Sequence, residues 1–258
     1  MNAKLLVKLG GTLLDEPGAR ARLCAEIAGV FRRSPQMAIV HGGGKQMTRY
    51  LTERGVESRF VGGLRVSSPD VIDAVLKVFA GTVNHQLVAS LVAAGTMPVG
   101  LTGIDACLTE AERWSEELGQ VGRPVRSNTA LLDVLNANGY LPVVACVAGD
   151  RNGVIYNVNA DQMAAACAAG FSASRLLFLT DVAGVMDASK QVLPTLTRAE
   201  SQNLIDTGVA TGGMQAKLEA AHRALDGGVA EVIVAPGAEP GVIGRILDGV
   251  QEGTRIVP

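Results

Sequence analysis

Aromatic residues are scarce in this 258-residue chain, making up 3% of it with a single tryptophan. The formal net charge is only −2, and both signs of charge are interspersed. A nucleic-acid-binding protein needs a basic field for the phosphates and, for single strands, aromatic side chains on which bases stack. We therefore expect no nucleic-acid partner.

Cysteine and histidine are few and scattered. None of the four cysteines forms a C-x-x-C pair, and they stand singly at Cys24, Cys107, Cys146 and Cys167. Zinc sites usually show such ligands at short spacings, and the three histidines are also far apart, although a fold can bring distant residues together. We predict no built-in metal site and interpret the cysteines as reduced, small buried residues.

Long apolar runs are also lacking, since none approaches the ~18 residues that a membrane-spanning helix needs. The chain passes from Met1 into the run at residues 4–8 without the apolar region and cleavage site of a signal peptide. We expect a cytoplasmic protein with no membrane partner. Its 48% apolar content and its length suit one large α/β domain or two small lobes.

Short apolar runs rich in valine, isoleucine and leucine alternate with longer helical patterns. Continuous runs of this kind predict strands covered on both faces, as in a mostly parallel sheet. The predicted strands are residues 4–9, 37–41, 97–101, 141–147, 176–180 and 229–235. The predicted helices are residues 19–32, 69–94, 128–138, 160–169 and 214–226.

This alternation predicts an α/β fold, a three-layer αβα sandwich with a mostly parallel open central sheet. Residues 56–66 and 106–125 interrupt the pattern with shorter β-like pieces bounded by glycines and charges, and they predict β-hairpin flaps that project from the sheet. From the topology we predict an N-terminal lobe of residues 1–174 and a C-terminal lobe of residues 175–258, joined by one continuous sheet.

Glycine-rich turns follow three of the predicted strands, at residues 10–11, 42–44 and 181–184. A single such turn often needs glycine for its backbone angles alone. Three turns at equivalent strand ends favour a ligand site instead, because ligands of open α/β sheets bind at that edge and glycine lets backbone N–H groups approach anions closely. The expected ligand is an anion.

Familiar catalytic signatures are absent: the sequence has no P-loop, dinucleotide fingerprint, protein-kinase motif set or nucleophile elbow. Lys8 nevertheless lies inside an apolar strand, where a charge is costly unless it faces negative charge. Lys217, one turn into a helix, is an ordinary surface lysine on pattern alone. Asn159 and Asp161 suit an N-cap and a first-turn carboxylate. Arg65 suits a carboxylate ligand, or simply the surface.

Seven short motifs extend over nearly the whole chain. They are Val7-Lys-Leu-Gly-Gly11, Ile39-Val-His-Gly-Gly-Gly44, Gly63-Leu-Arg-Val66, Asn157-Val-Asn-Ala-Asp161, Thr180-Asp-Val-Ala-Gly184, Gly213-Met-Gln-Ala-Lys217 and Gly253-Thr-Arg-Ile256. In this order and spacing they resemble the amino-acid kinase family, and within it the branch whose acceptor is N-acetyl-L-glutamate. The resemblance implies ATP-dependent phosphorylation of the acceptor's side-chain carboxylate, a step of arginine biosynthesis, with ATP bound as its Mg²⁺ complex.

The same resemblance implies roles for individual residues. In the N-terminal lobe the acceptor would be held by Gly43, Gly44, Arg65 and Asn157. Backbone hydrogen bonds to the phosphoryl group would come from Gly10, Gly11 and Gly44. Lys8 and Lys217 would stabilise the transition state, and Asp161 would orient both. In the C-terminal lobe the nucleotide would be lined by Thr180, Asp181, Val182, Ala183, Gly184, Val185, Val209, Ala210 and Thr211.

Two alternatives stay open at this point. The acceptor could be a related one, namely N-acetylaminoadipate, aspartate, glutamate or carbamate, or the chain could be a non-catalytic ligand-sensing module of the same fold. The chain starts almost at its first strand, without the extra N-terminal helix of arginine-inhibited hexameric relatives. The resemblance therefore implies an arginine-insensitive homodimer, with helix 69–94 as a candidate interface.

Overall fold

A computed structural model describes residues 4–258, so residues 1–3, the predicted start of the N-terminal lobe, lie outside the described residues. The strands in the described range are β1 (Leu5–Leu9), β2 (Met37–His41), β3 (Phe60–Val61), β4 (Leu64–Arg65), β5 (Pro98–Thr102), β6 (Thr109–Arg113), β7 (Val121–Ser127), β8 (Leu141–Ala145), β9 (Val147–Gly149), β10 (Ile155–Val158), β11 (Arg175–Thr180), β12 (Thr195–Thr197), β13 (Glu231–Pro236) and β14 (Thr254–Val257).

The α-helices in this range are α1 (Pro17–Arg33), α2 (Gly44–Thr52), α3 (Pro69–Val75), α4 (Asn84–Ala93), α5 (Ala130–Ala137), α6 (Ala160–Gly170), α7 (Arg198–Asp206), α8 (Gly212–Asp226) and α9 (Val242–Leu247). A π-helical segment, Leu76–Val83, joins α3 to α4 without a break, and a 3-10 helix, Gly11–Leu14, follows β1.

Eight strands form the central sheet in the order β12-β14-β13-β11-β1-β2-β8-β5. Every pairing is parallel except that of β13 with β14. Strands β1, β2 and β8 are buried along their whole length, which explains their continuous apolar sequences. The predicted mixed α/β fold with a mostly parallel open sheet is confirmed, and β1 lies near its middle between β11 and β2.

Helices cover the sheet on both faces. Helix α6 packs on β1, β2 and β11 and also against α8, whereas α1 packs against both α4 and α9 on the other face. Side chains alternate between faces along a strand. Lys8 pairs in register with Val40, and Leu9 with His41, so Lys8 and His41 point to opposite faces of the sheet.

The predicted strands and helices are found within two residues of the expected bounds. Helices α2, α7 and α9 and strands β10, β12 and β14 were not predicted. These elements are short, and α2 begins directly at the glycines that the sequence pattern placed in a turn. A short element leaves too few residues for a periodic pattern to develop.

The two predicted flaps are present, and the second is larger than a hairpin. Strands β3 and β4 form a two-stranded antiparallel hairpin, which is the first flap. Strands β6 and β7 also pair antiparallel, but β9 and β10 join them so that the four strands close on one another. The interval 106–125 could not reveal this because the two additional strands lie more than twenty residues farther along the chain.

The helical run Pro69–Ala93 contradicts the expectation that the chain lacks a long apolar segment. It is long and apolar enough to cross a bilayer by length and composition alone, although no such run was expected. The run packs against α1, β5 and β8 at its α4 end, and 39% of its most apolar 18-residue window is buried within the fold. The apolar character of this run therefore serves the core in part.

The cysteines follow the sequence interpretation with one exception. All four are free, and Cys24, Cys146 and Cys167 are buried as expected. Cys107 is exposed, contrary to expectation, because it ends a short 3-10 helix, Asp105–Cys107, none of whose residues is buried.

Candidate active site

Three glycine-rich turns meet at the carboxyl edge of the sheet because β11, β1 and β2 are adjacent strands. The turn after β1 is fastened to the end of β11 by a hydrogen bond from Gly10 N to Leu179 O of 3.0 Å. The turn after β2 leads directly into α2, with Gly43 at the N-cap and Gly44 as the first helical residue. A helix N-terminus and free backbone N–H groups favour an anion at this edge.

Two buried lysines converge on one carboxylate above this edge. Lys8 Nζ lies 2.7 Å from Asp161 Oδ1, and Lys217 Nζ lies 3.0 Å from Asp161 Oδ2. The three residues are only 7–8% exposed. Lys8 comes from β1, Asp161 from α6 and Lys217 from α8, so three separate elements supply this cluster. It carries one net positive charge.

The electrostatics of the cluster follow from its burial. Burial alone would raise the pKa of Asp161, but Lys8 and Lys217 outweigh it and lower that pKa to about 2. For Lys217, burial lowers the pKa, the anion of Asp161 acts in the opposite direction, and Lys8 adds repulsion. Asp161 is therefore ionised at neutral pH and serves as a counter-ion, not as a base.

The start of α6 positions Asp161. Asn159 is the N-cap, as predicted, and its Oδ1 accepts hydrogen bonds from Asp161 N at 2.9 Å and from Gln162 N at 3.2 Å. A carboxylate in the first turn is favoured by the helix dipole. The cap therefore fixes the turn that carries Asp161.

A cavity of about 220 Å³ opens beside the cluster on the side of the first flap. Its lining includes every residue that the resemblance assigned to the acceptor: Gly43, Gly44, Arg65 and Asn157, together with Lys8, Gly11 and Asp161. This volume lies below the range of roughly 300–1,000 Å³ usual for clefts that hold drug-sized ligands. A compact acid fits this cavity, whereas a complete nucleotide requires space outside it.

Arg65 is buried and held from several sides, not placed on the surface. Its guanidinium donates to Thr48 Oγ1 at 2.8 Å, to Gly44 O at 3.3 Å and to Ser58 Oγ, and it lies 4.7 Å from the centre of the Phe60 ring. Burial lowers its pKa. These contacts fix the Arg65 side chain at the cavity wall, next to the turn after β2.

Asn157 is connected to Arg65 through a serine. Asn157 Nδ2 donates to Ser67 Oγ at 3.1 Å, and Ser67 Oγ donates to the backbone carbonyl of Arg65 at 2.9 Å. The wall of the cavity is therefore one hydrogen-bonded unit that joins β10 to the first flap.

The predicted nucleotide residues lie outside the cavity, around the open carboxyl end of β11. Thr12 Oγ1 donates to Asp181 Oδ2 at 3.3 Å, which connects this segment to the turn after β1. Val185 N donates to Thr254 Oγ1 at 2.8 Å. Thr211 is the N-cap residue of α8, the helix that carries Lys217. Asp181, Ala183 and Val209 are exposed, whereas Gly184, Val185 and Ala210 are buried.

Sequence reasoning missed several residues of this region. Thr48, Ser58 and Ser67 hold the wall, while Phe79 and Cys146 line the cavity. Burial raises the pKa of Cys146 to about 12, so its thiol stays protonated. None of them carried a local signal, because α2, which places Thr48 four residues after Gly44 on one face, was not itself predicted.

Comparison with known proteins agrees with this geometry. Residues 3–236 match the model described as the amino acid kinase family. The chain is 66% identical over 254 residues to the acetylglutamate kinase of Solibacter usitatus, covering 98% of this chain and 99% of that protein. It is 37% identical over 257 residues to the acetylglutamate kinase of Koribacter versatilis, covering 98% of each.

Solved structures show the same fold. The smu.665 protein of Streptococcus mutans superposes with a TM-score of 0.83 at 26% identity, covering 100% of this chain and 99% of that one. The N-acetylglutamate synthase of Neisseria gonorrhoeae, complexed with coenzyme A and N-acetyl-glutamate, gives a TM-score of 0.88 at 24% identity, and this chain spans 60% of its length. Family model, relatives and fold agree: the chain belongs to the amino acid kinase family.

Proposed function

We propose that the chain transfers the γ-phosphoryl group of ATP to the side-chain carboxylate of N-acetyl-L-glutamate, giving the 5-phosphate, a step of arginine biosynthesis. The observation that carries the proposal is the buried cluster of Lys8, Asp161 and Lys217 beside a cavity sized for a compact acid. The whole-length likeness to proteins named acetylglutamate kinase supports the choice of acceptor.

The chemistry matches the groups present. A carboxylate acceptor is already ionised at neutral pH, so its attack on phosphorus requires no general base. What remains is alignment of the two substrates and neutralisation of the charge on the transferring group. Lys8 and Lys217 supply positive charge from two elements, and Asp161 holds the two ammonium groups close together before substrates bind.

Magnesium belongs to the nucleotide in this scheme. Among residues 4–258 no group of three histidine, cysteine or acidic side chains is arranged to hold a metal ion. Mg²⁺ commonly binds through substrate phosphates and keeps several waters, so a protein cage is not required. When bound, the ion supplies neutralisation of phosphate charge.

Phosphoryl-group contacts would come from the turns. The backbone N–H groups of Gly10, Gly11 and Gly44 lie at the edge where α2 begins, and that of Gly10 donates to Leu179 O. We place the acceptor against Gly43, Gly44, Arg65 and Asn157. The nucleotide lies against residues 180–185 and 209–211, so the predicted lobes of residues 1–174 and 175–258 each hold one substrate.

The test is ADP release in the presence of ATP, Mg²⁺ and N-acetyl-L-glutamate. Lys8→Ala and Lys217→Ala should each lower kcat by ~10²-fold or more, the usual cost of losing one group that stabilises transition-state charge. Lys4→Ala is the matched control, because Lys4 precedes the same strand at its other end and pairs with Asp133 at 2.5 Å. It should leave kcat unchanged.

An acceptor panel separates the alternatives. N-acetylaminoadipate, aspartate, glutamate and carbamate should be phosphorylated more slowly than N-acetyl-L-glutamate. A faster reaction with any of them would reassign the acceptor. Absence of turnover with the whole panel, combined with measurable binding of N-acetyl-L-glutamate, would favour the ligand-sensing module instead.

The same proposal covers assembly and location. The run Pro69–Ala93 is apolar but incompletely buried, which makes it the surface we assign to a homodimer. We also expect activity that is insensitive to arginine, and a cytoplasmic location where ATP is available. Sedimentation velocity should give a dimer; hexamers, or inhibition of ADP release by arginine, would contradict these expectations.

A further inference from the structure

The turn after β2 is held from the face of the sheet opposite to Lys8. The helical run widens into the π-helical segment Leu76–Val83 directly before α4, and such widened turns are frequent at functional sites. A Cβ placed on Gly43 would lie 2.9 Å from Phe79 Cδ1 and 3.2 Å from Val83 Cγ2. Two side chains of the π-helical segment therefore occupy the space that a side chain at position 43 would need.

The next residue along the run, Asn84, reaches a buried histidine. Asn84 Nδ2 lies 2.9 Å from His41 Nε2 and also donates to Val143 O at 3.1 Å. His41 is completely buried, Asn84 nearly so. Because Val143 O can only accept, the group of Asn84 that faces both partners must be its amide nitrogen, and His41 Nε2 must accept from it.

This arrangement determines the proton position on His41. Burial lowers the pKa of His41 to about 4, so the ring is neutral at physiological pH. With Nε2 as acceptor, the single ring proton lies on Nδ1, which donates to Gly42 O at 3.0 Å. The carbonyl of Gly42 is thereby drawn toward the face of the sheet that carries α4.

The orientation of that carbonyl sets the next N–H. A trans peptide directs its C=O and N–H to opposite sides, so the Gly43 N–H points away from His41. Gly42, Gly43 and Gly44 all line the cavity beside Asp161. Among residues 4–258 the Gly43 N–H has no hydrogen-bond acceptor.

We propose that His41 and Asn84 are positioning residues, which lock the Gly42–Gly43 peptide so that the Gly43 N–H faces the bound acceptor. The inference deepens the proposed function and rests on it, since the acceptor site is the one assigned there. Neither side chain lines the cavity. Their effect passes through one peptide plane, which connects the helical run Pro69–Ala93 to the acceptor cavity.

The experiment compares two buried asparagines that serve the two ends of β2. Asn84→Ala removes the partner of His41 at the carboxyl end, whereas Asn136→Ala removes an amide that donates to Met37 O at 2.9 Å and Tyr140 O at 3.1 Å, at the start of the strand. Both should lower Tm. Only Asn84→Ala should raise the KM for the acceptor and lower kcat, by up to ~10²-fold, because a small misplacement of a binding group can cost that much.

Two variants of His41 sharpen the result. His41→Asn keeps a donor near the position of Nδ1 and should retain most activity, whereas His41→Leu removes it and should match Asn84→Ala. The KM for ATP should stay unchanged throughout. Equal kinetics for Asn84→Ala and Asn136→Ala, or for the two His41 variants, would overturn the inference. If His41→Leu does not fold, the comparison of the two asparagine variants decides.

A readout that does not depend on turnover separates this inference from the proposed function. In a spectrum of protein carrying ¹⁵N-glycine, the Gly43 amide resonance should shift in Asn84→Ala and stay in place in Asn136→Ala. An unmoved resonance in both variants would contradict the inference even if the unaltered protein phosphorylates N-acetyl-L-glutamate. Absence of turnover in the unaltered protein, with the shift present, would count against the proposed function alone.

Discussion

Lys217 Nζ lies 3.0 Å from Asp161 Oδ2, although the two residues are 56 positions apart and belong to different helices. The packing of α8 against α6 brings them together. Lys8 completes the cluster from the sheet below, so that a single carboxylate balances two buried cations that would otherwise repel each other. The stability and the reactivity of this region therefore depend on the same residue.

Replacing that carboxylate should affect both properties. Asp161→Asn leaves two ammonium groups buried without a counter-ion, and breaking a buried ion pair typically costs roughly 3–5 kcal/mol. We expect a loss of that size in the free energy of unfolding, measured in urea, and a fall in kcat of ~10²-fold. Addition of ATP with Mg²⁺ should raise the Tm of Asp161→Asn by more than it raises the Tm of the unaltered protein, because the phosphates supply the missing negative charge.

Asp133→Asn is the matched control for this substitution. Asp133 pairs with Lys4 at the other end of β1, in a position partly open to solvent. Exposed ion pairs contribute at most about 1 kcal/mol, so Asp133→Asn should lower the free energy of unfolding only slightly. Equal losses of stability and kcat in the two variants would show that the burial of Asp161 has no special consequence.

A second prediction concerns the dependence of stability on pH. Burial lowers the pKa of His41 from 6.5 to about 4 in the folded state, so between those values the unfolded chain binds more protons than the folded one. The free energy of unfolding should therefore fall as the pH is lowered through this window, by about 3 kcal/mol at most. Below pH 4 the destabilisation caused by His41 has reached its full size, and above pH 6.5 it is absent.

Urea unfolding of His41→Gln between pH 4 and 7 tests the assignment to His41. In His41→Gln the free energy of unfolding should depend much less on pH than in the unaltered protein. In His85→Gln, which alters an exposed histidine, this dependence on pH should be retained. His222, whose pKa is also lowered by burial, acts in the same direction and is present in both variants. An unchanged slope in His41→Gln would exclude His41 as the source.

Arg65 offers a third prediction. Lysine cannot reproduce a planar fork that contacts Thr48, Ser58 and the carbonyl of Gly44 together. Arg65→Lys should raise the KM for N-acetyl-L-glutamate by roughly tenfold or more, since hydrogen bonds to charged groups contribute about 1.5–3 kcal/mol. The KM for ATP should not change.

Arg59→Lys is the matched control, because it makes the same exchange of arginine for lysine beside the first flap. Arg59 is exposed and contacts Glu117 at 3.5 Å. Its replacement should leave both KM values as they are. A rise in the KM for ATP in Arg65→Lys would instead place the arginine at the nucleotide.

The glycines after β2 differ in the room around them, which gives a fourth prediction. Alanine at position 43 meets Phe79 and Val83, whereas a Cβ on Gly44 has nothing within 4 Å. Overpacking typically costs about 1–3 kcal/mol, so Gly43→Ala should lower the free energy of unfolding and Gly44→Ala should change it little. Measuring both without ligands separates this steric effect from any effect on binding, and equal stabilities would contradict it.

Local patterns identified Lys8 but not Lys217. A charge inside the apolar strand Leu5–Leu9 is anomalous by itself, whereas a lysine in α8 becomes unusual only when α6 covers it. The periodicity of α8 cannot tell which face will be covered, because that choice is made by the neighbouring helix. The resemblance, not the pattern, supplied Lys217.

The wall of the acceptor cavity was predictable only in part. Arg65 and Asn157 stand in motifs, but Ser67, which joins them, is polar, short and common, and it acquires its role only when β10 meets the first flap. The π-helical segment is likewise invisible in the sequence. An i→i+5 turn is adopted where tertiary packing compensates for it, and here Phe79 and Val83 contact the turn after β2.

The position of β1 between β11 and β2 has a mechanical consequence. Strand β1 pairs with β11 on one side and with β2 on the other, over five consecutive residues each. It therefore holds the two halves of the sheet in a fixed relation and does not act as a hinge. We therefore expect any approach of the two substrates to come from the elements above the sheet, namely the first flap and α8. Because Lys8 belongs to this strand and Lys217 to α8, any change in the distance between them requires a movement of α8 relative to the sheet.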